Sequence, residues 1–262
     1  MKRITFKFAI YILMAASLVA CGGGGGSGSG SGGGGSGGGG SSSASSPVQN
    51  ESANGIWTGI ASIAGVGTSD TMAFFNDGEF IAVNFDFEEF YQGTYNINGS
   101  NISATNFKGY ELGGLYGGNG NLQGVVSSQG TLRATVDTSL GTTGDLDLVY
   151  ETAVSERSIS LSDLTGSWSG SVPGLSFAII IDQSGSFAAS GSDGCSVSGQ
   201  LTIPRADRNM IKGDLTVSGS NCLVSGNYSG LAVLADNFEV NDTLVIGYSN
   251  NNYGFAYAAD RN

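Results

Sequence analysis

The chain has 262 residues, with 22 acidic and 10 basic side chains and a formal net charge of −12. It contains no histidine, which excludes Ser-His-Asp and Cys-His catalytic sites and removes a usual ligand of zinc sites. An acidic surface without a basic patch repels nucleic acid and anionic lipid headgroups. We therefore expect no nucleic acid partner, and the composition predicts neither a metal nor a cofactor.

The first residues have the organisation of an export signal. A basic start precedes an apolar run at 8–19, which is shorter than the roughly 20 residues needed to span a bilayer. The run ends in Leu18-Val19-Ala20-Cys21, which resembles the lipobox of bacterial lipoproteins. That resemblance implies a signal peptide at 1–20, cleavage before Cys21, and diacylation and N-acylation of this cysteine by fatty acids such as palmitate. Two or more acyl chains anchor a protein stably.

A segment made almost entirely of glycine and serine follows the cysteine. Such a composition cannot bury apolar surface and behaves as a flexible coil, so residues 21–50 are predicted to be a lipidated tether. In the lipoprotein family an aspartate directly after the cysteine favours retention in the inner membrane. Gly22 stands there in this chain, so the resemblance implies an outer-membrane anchor, on either its periplasmic or its surface side.

The rest of the chain contains an internal repeat. The pentapeptide G-x-W-x-G occurs at 55–59 and again at 166–170, and the two copies contain both tryptophans of the chain. A repeat at this spacing predicts two tandem domains of ordinary size, at 51–156 and 157–262. The residues that define this structural motif are Gly55, Trp57, Gly59, Gly166, Trp168 and Gly170.

Both halves consist of short segments typical of β-strands. Apolar and polar residues alternate over 81–88, the period expected of a strand with one buried face, and Asn76-Asp77-Gly78 directly before it is a hairpin signal. About eight such segments per half predict an all-β fold. We expect two tandem antiparallel β-barrel or β-sandwich domains of about eight strands each.

A G-x-W motif at the start of the first strand, followed by about eight strands, resembles the lipocalin-like barrels. In that family an arginine near the last strand packs over the tryptophan, which makes Arg157 and Arg261 the candidates here. The two halves are shorter than ordinary lipocalins, so a large ligand cavity is not expected.

With Cys21 lipidated, Cys195 and Cys222 remain as a pair in an exported protein, where oxidation is the default. We predict a Cys195–Cys222 disulfide, worth about 3 kcal/mol in the chain-entropy model. In a plain meander these cysteines would start strands two positions apart, at roughly 10 Å, whereas a disulfide needs Cα atoms within about 7 Å. Either the strand ends bend inward or the topology is not a simple meander.

Two acidic segments are candidates for chemistry. Asp86 and Glu88 share one predicted strand face, with Glu89 beside them, and paired acids act on glycosides; a solvated charged face is the favoured interpretation. Residues 236–242 form a run of oxygen ligands that could suit calcium, but the run lacks the glycine of the twelve-residue calcium loop. An acidic turn is favoured there.

Aromatic residues form a third candidate group. Tyr253, Phe255 and Tyr257 alternate with small residues on the predicted last strand. Such a stripe is favoured as barrel interior, and a pocket for a sugar or another small molecule is the alternative.

Together these features predict an outer-membrane lipoprotein that is not an enzyme and has a binding or envelope role. Its partners would be the membrane, through lipid on Cys21, and an unidentified small-molecule, glycan or protein ligand. Two alternatives stay open at this point: a surface-exposed partner-capture or adhesion lipoprotein, and a carboxylate-dependent enzyme acting on glycans.

Overall fold

The structure is a computed structural model that describes residues 50–262, with eleven exceptions: Phe85, Phe87, Leu112, Gly113, Leu140, Pro173, Gly174, Asn221, Leu223, Asn237 and Phe238. The described residues form two closed, eight-stranded antiparallel β-barrels in tandem. The predicted all-β fold is confirmed, and the barrel is the form that each half adopts. The predicted signal peptide, Cys21 and nearly all of the predicted tether lie outside the described residues.

The first barrel is a meander that closes between its first and last strands. Its segments are β1 Gly55–Ile63, β2 Gly67–Asn76, β3 Glu79–Asn84, β4 Glu89–Thr94, β5 Asn96–Asn98, β6 Asn101–Glu111, β7 Gly114–Val126, β8 Thr131–Thr138 and β9 Thr143–Tyr150. β4 and β5 both pair with β6 and together fill one strand position. Closure comes from β9 pairing with β1, where Trp57 stands opposite Tyr150. The predicted hairpin is confirmed, because β2 and β3 pair across Asp77-Gly78.

The second barrel repeats this plan with eight strands. These are β10 Gly166–Val172, β11 Leu175–Ile181, β12 Ser186–Gly191, β13 Ser196–Thr202, β14 Ile211–Ser218, β15 Gly226–Ala235, β16 Thr243–Ser249 and β17 Tyr253–Arg261. β17 pairs with β10 to close the barrel, with Trp168 opposite Arg261. Two helical turns, α1 Thr152–Ser155 and α2 Leu161–Leu164, connect the barrels. Among the residues described, no helix is long and apolar enough to cross a membrane.

The repeated pentapeptide forms the closed end of each barrel. Trp57 and Trp168 are fully buried, and their indole N–H groups donate to Ala53 O at 2.7 Å and Leu164 O at 2.8 Å. The last glycine of each copy lies against the neighbouring strand, since a Cβ on Gly59 would lie 2.1 Å from Asp147 O. The motif therefore combines a buried ring with a close strand contact.

The two arginine candidates have different environments. Arg261 lies over Trp168 with its Cζ 4.4 Å from the ring centroid, so that expectation is confirmed. The expectation for Arg157 is wrong, because its guanidinium instead forms two 2.6 Å hydrogen bonds with the carboxylate of Asp236. In the first barrel Tyr150 packs edge-on against Trp57, with ring centroids 5.2 Å apart.

A hydrophobic cluster joins the two barrels. It contains outward-facing residues of the first barrel, such as Phe74, Ile81 and Phe90, and of the second, such as Leu231 and Val245, all buried. Two glycines of the second barrel make room for it: a Cβ on Gly247 would lie 2.8 Å from Phe90, and one on Gly254 would lie 2.6 Å from Tyr110. The barrels therefore pack directly on each other through aliphatic and aromatic side chains.

This cluster overturns one sequence expectation. β3 ends at Asn84 and both of its faces are buried, one inside the barrel and one against the second barrel. The predicted strand over 81–88 with a single buried face is therefore wrong. Asp86 and Glu88 belong to the turn that follows β3, and Glu88 has a φ of 54°. They do not share a strand face.

Polar contacts frame the junction between the barrels. Ser155 of α1 is buried and accepts a 2.8 Å hydrogen bond from Ile56 N through its hydroxyl, while its carbonyl accepts from Asn209 N at 3.1 Å. Lys212 of the second barrel pairs with Glu79 of the first at 2.7 Å. The hydrogen bonds to Ser155 satisfy the backbone N–H groups of Ile56 and Asn209 at the junction, and the ion pair connects the two barrels directly.

The cysteine pair is compatible with the meander. Cys195 and Cys222 are at disulfide distance, with Cα atoms 5.0 Å apart. Cys195 directly precedes β13, as expected. Cys222 does not start a strand but lies in the loop between β14 and β15, since β15 begins at Gly226. Cys222 N donates to Gly219 O at 3.3 Å just after β14 ends, where Ser218 pairs with Ser196 of β13. The cysteines therefore meet without any change of strand order.

Candidate functional site in the second barrel

The interiors of the two barrels differ in how completely they are filled. The second barrel encloses a cavity of about 250 Å³, whereas the corresponding space in the first measures about 50 Å³. In the first barrel the rings of Phe75, Phe80 and Phe107 pack against one another, with centroids 5.6 and 5.7 Å apart. These rings fill the centre of the first barrel, whereas the side chains of the second barrel stand around an open space.

Aliphatic side chains form most of the cavity wall. Ile179, Leu215, Leu244 and Ile246 line it, together with the small side chain of Ala189. They come from four different strands, and in β12 the buried and exposed positions alternate so that Ala189 faces inward and Ala188 outward. The wall is therefore suited to an apolar molecule, which gains free energy by leaving water.

Four aromatic rings form the remaining side of the wall. The centroids of Phe177 and Tyr257 are 5.4 Å apart, those of Tyr257 and Phe255 5.4 Å, and those of Phe255 and Tyr248 6.0 Å. Phe177, Phe255 and Tyr257 are only partly buried and all four rings line the cavity. The favoured interpretation of the β17 stripe, barrel interior, is confirmed for Phe255 and Tyr257, and both residues line the cavity.

Tyr248 supports this aromatic wall from behind. Its ring lies over Gly213, since a Cβ on that glycine would lie 2.2 Å from the phenol oxygen. The hydroxyl is buried and has no hydrogen-bond partner among the described residues. Burial, with a smaller effect of the charge on Asp214, raises the pKa of Tyr248, so the side chain is neutral.

The cavity opens at the end of the barrel that contains the cysteine pair. The turn from Gly191 to Cys195 contributes residues to its lining, as does Val224 after Cys222. Trp168 lies at the other end, because β10 begins there and pairs with the end of β17. The cysteine pair therefore connects the two loops that border the mouth of the cavity, and Trp168 closes the opposite end of the barrel.

Comparison with protein-family models, curated proteins and solved structures gives no match to this chain.

The acidic candidates from the sequence lie elsewhere and have structural partners. Asp86 accepts a 3.2 Å hydrogen bond from Asp70 N, and its own N–H donates to Ser69 Oγ at 3.1 Å. Glu89 accepts from the hydroxyl of Tyr91. These contacts tie the turn after β3 to β2, and they place the two carboxylates in local hydrogen bonds.

The 236–242 run is likewise part of the local structure. Asp236 pairs with Arg157 and also accepts from Asn241 N at 2.8 Å, and Asp242 accepts from Glu239 N at 2.8 Å. Within the described residues there is no group of three or more acidic or cysteine side chains arranged to hold a metal ion. The run therefore forms an arginine-linked loop beside the junction of the barrels.

The open interior of the second barrel is the feature that sequence reasoning missed. Both interiors contain aromatic and aliphatic side chains, so residue types alone do not show which of the two barrels is open. Inward positions could be identified only after the strand ends were known, since a shift by one residue exchanges the two faces.

Proposed function

We propose that this chain is a lipid-anchored binding protein whose second barrel holds a small, largely apolar molecule. The observation that carries the proposal is the cavity of about 250 Å³, walled by aliphatic and aromatic side chains and open at one end. An engineered cavity of about 150 Å³ with a similar lining binds benzene, so this space is large enough for a ligand. The packed first barrel would act as the support through which the second is attached.

The lipobox-like sequence supports the anchoring part of the proposal. Leu18-Val19-Ala20-Cys21 precedes the glycine- and serine-rich segment, and Gly22 favours the outer membrane by the resemblance to bacterial lipoproteins. The tether would hold the barrels away from the headgroups. All 22 acidic side chains of the chain lie at 51–262, and this charge would keep the barrels from lying on an anionic membrane surface. Binding, and not catalysis, is the activity proposed.

Lipidation can be tested at the cysteine itself. We expect cells grown with an alkyne-tagged fatty acid to label the wild-type protein and to leave the Cys21→Ser variant unlabelled, because serine cannot form the thioether to the diacylglycerol. The labelled protein is expected in the outer-membrane fraction. Equal labelling of both proteins would contradict the anchor, and a Cys195→Ser/Cys222→Ser variant that is still labelled serves as the control for cysteine content.

Ligand binding can be tested by filling the cavity. Ala189→Phe places a ring in the space that the ligand would occupy, so we expect its affinity for an apolar probe such as naphthalene to fall at least tenfold. Ala188→Phe is the matched control, since residue 188 is one position along the same strand and faces outward. Binding is measured by fluorescence titration of the purified protein.

Native mass spectrometry before and after organic extraction then shows whether the protein purified from its own cells has a molecule bound. A defined adduct present in wild type and in Ala188→Phe, and lost in Ala189→Phe, is the expected result. Equal affinities of all three proteins for naphthalene, or no binding by any of them, would contradict the proposed site and direct attention to glycan or protein partners.

A further inference from the structure

A negative charge at the mouth of the cavity favours positively charged ligands. Asp193 is the one charged residue among the described side chains that line the cavity. Its Oδ1 accepts a 3.0 Å hydrogen bond from Cys195 N, which holds the carboxylate in the turn before β13. Cys195 is in turn at disulfide distance from Cys222. The hydrogen bond and the cysteine pair together hold the carboxylate at the rim of the cavity.

The aromatic wall begins next to this carboxylate. Phe177 stands opposite Gly191, where the turn containing Asp193 begins, and the ring of Tyr257 follows at 5.4 Å. Tyr257 and Asp193 both line the cavity, and the negative charge of Asp193 adds to the effect of burial in raising the pKa of Tyr257. Both the π faces of the rings and the carboxylate attract a positive charge and repel a negative one.

The same lining selects among cations. A primary ammonium has three N–H donors that need acceptors once it leaves water, and an apolar wall offers few of them. A methylated ammonium has a diffuse charge and no unsatisfied donors when fully substituted. Aromatic rings in contact with such a group attract it through the negative charge of their π faces.

We propose that the second barrel takes a small molecule with a quaternary ammonium group, held at the mouth between Asp193 and the Phe177–Tyr257 side of the wall, and with an apolar body inside the barrel. This inference rests on the proposed function and names the ligand class for the same cavity. Since a cavity of about 150 Å³ holds the six carbons of benzene, the space here corresponds to a ligand of about ten non-hydrogen atoms. The acidic net charge of the whole chain favours the approach of such a cation.

The test uses two probes of the same shape. Benzyltrimethylammonium carries the cation, and neopentylbenzene is its neutral counterpart with carbon in place of nitrogen. We expect wild-type protein to bind the cation about tenfold more tightly than the hydrocarbon, in ligand-observed NMR titrations of the full chain. The preference is expected to shrink as salt is added, because the carboxylate at the rim is exposed.

Two variants separate the contributions of charge and ring. Asp193→Asn keeps the acceptor for Cys195 N and removes the charge, so it should weaken binding of the cation about threefold to tenfold and leave binding of neopentylbenzene unchanged. Tyr257→Leu should weaken the cation more than the hydrocarbon, and Tyr257→Phe should restore it.

Equal affinity of wild type for both probes, or an Asp193→Asn variant that still prefers the cation by the same factor, would overturn this inference while leaving the proposed apolar site intact. Failure of both probes to bind would count against the proposed site itself.

Discussion

Changing Leu231 to aspartate is expected to lower the free energy of unfolding by at least about 3 kcal/mol. Leu231 is 2 % exposed and belongs to the cluster between the barrels. Truncating a buried leucine alone costs about 2 to 5 kcal/mol, and a carboxylate at that place would in addition lose its hydration without gaining a partner. Urea denaturation followed by circular dichroism measures the difference.

The matched control is Ile180→Asp. Ile180 also faces outward from the second barrel, but it is 66 % exposed, and surface changes of this kind stay within about 0.5 kcal/mol. If Leu231→Asp were as mild as Ile180→Asp, the barrels would not depend on each other for stability. A second readout is calorimetry, where we expect one transition for wild type and two separate transitions for Leu231→Asp, because the variant loses the contact that couples the barrels.

Replacing Trp168 by alanine is expected to cost about 3 to 5 kcal/mol, the range for deleting a large buried ring. The change removes a fully buried side chain at the base of the second barrel, the hydrogen bond to Leu164 O and the surface on which Arg261 rests. Trp57 stays in the first barrel, so its fluorescence reports that barrel while circular dichroism reports the whole.

Trp168→Phe separates the parts of this effect. It keeps most of the ring and loses the indole N–H, so we expect a smaller cost, of about 1 to 2 kcal/mol, close to that of a lost buried hydrogen bond. An alanine variant as stable as the phenylalanine variant would show that the base of the barrel does not need a filled core.

Much of this architecture is predictable from local pattern. The repeated G-x-W-x-G motif and the spacing of short strands lead to two barrels, because a buried ring and a close strand approach require those residue types at each copy. The position of Arg261 over Trp168 was expected from the resemblance to lipocalin-like barrels. Arg157 does not lie over Trp57, because Asp236 of the second barrel binds its guanidinium at 2.6 Å.

The parts that could not be predicted are those that depend on long-range packing. β3 is buried on both faces, so polar and apolar residues do not alternate along it. Its sequence therefore does not show that a second barrel covers its outer face. The cavity has the same origin, since its volume depends on which side chains face one another across the barrel. The cysteine pair was predictable from composition, but the loop that brings Cys222 to Cys195 was not.

The contact between the barrels also has a consequence for the order in which the chain acquires its structure during the proposed export. β1 and β9 are complete once residue 150 has crossed the inner membrane, so the first barrel can close while the second is still crossing. Its outer patch around Phe74, Ile81 and Phe90 then stays uncovered until β15 to β17, the last strands of the chain, arrive. The chain therefore passes through an interval with a closed barrel and an exposed aromatic patch, which is the period when chaperone binding matters most.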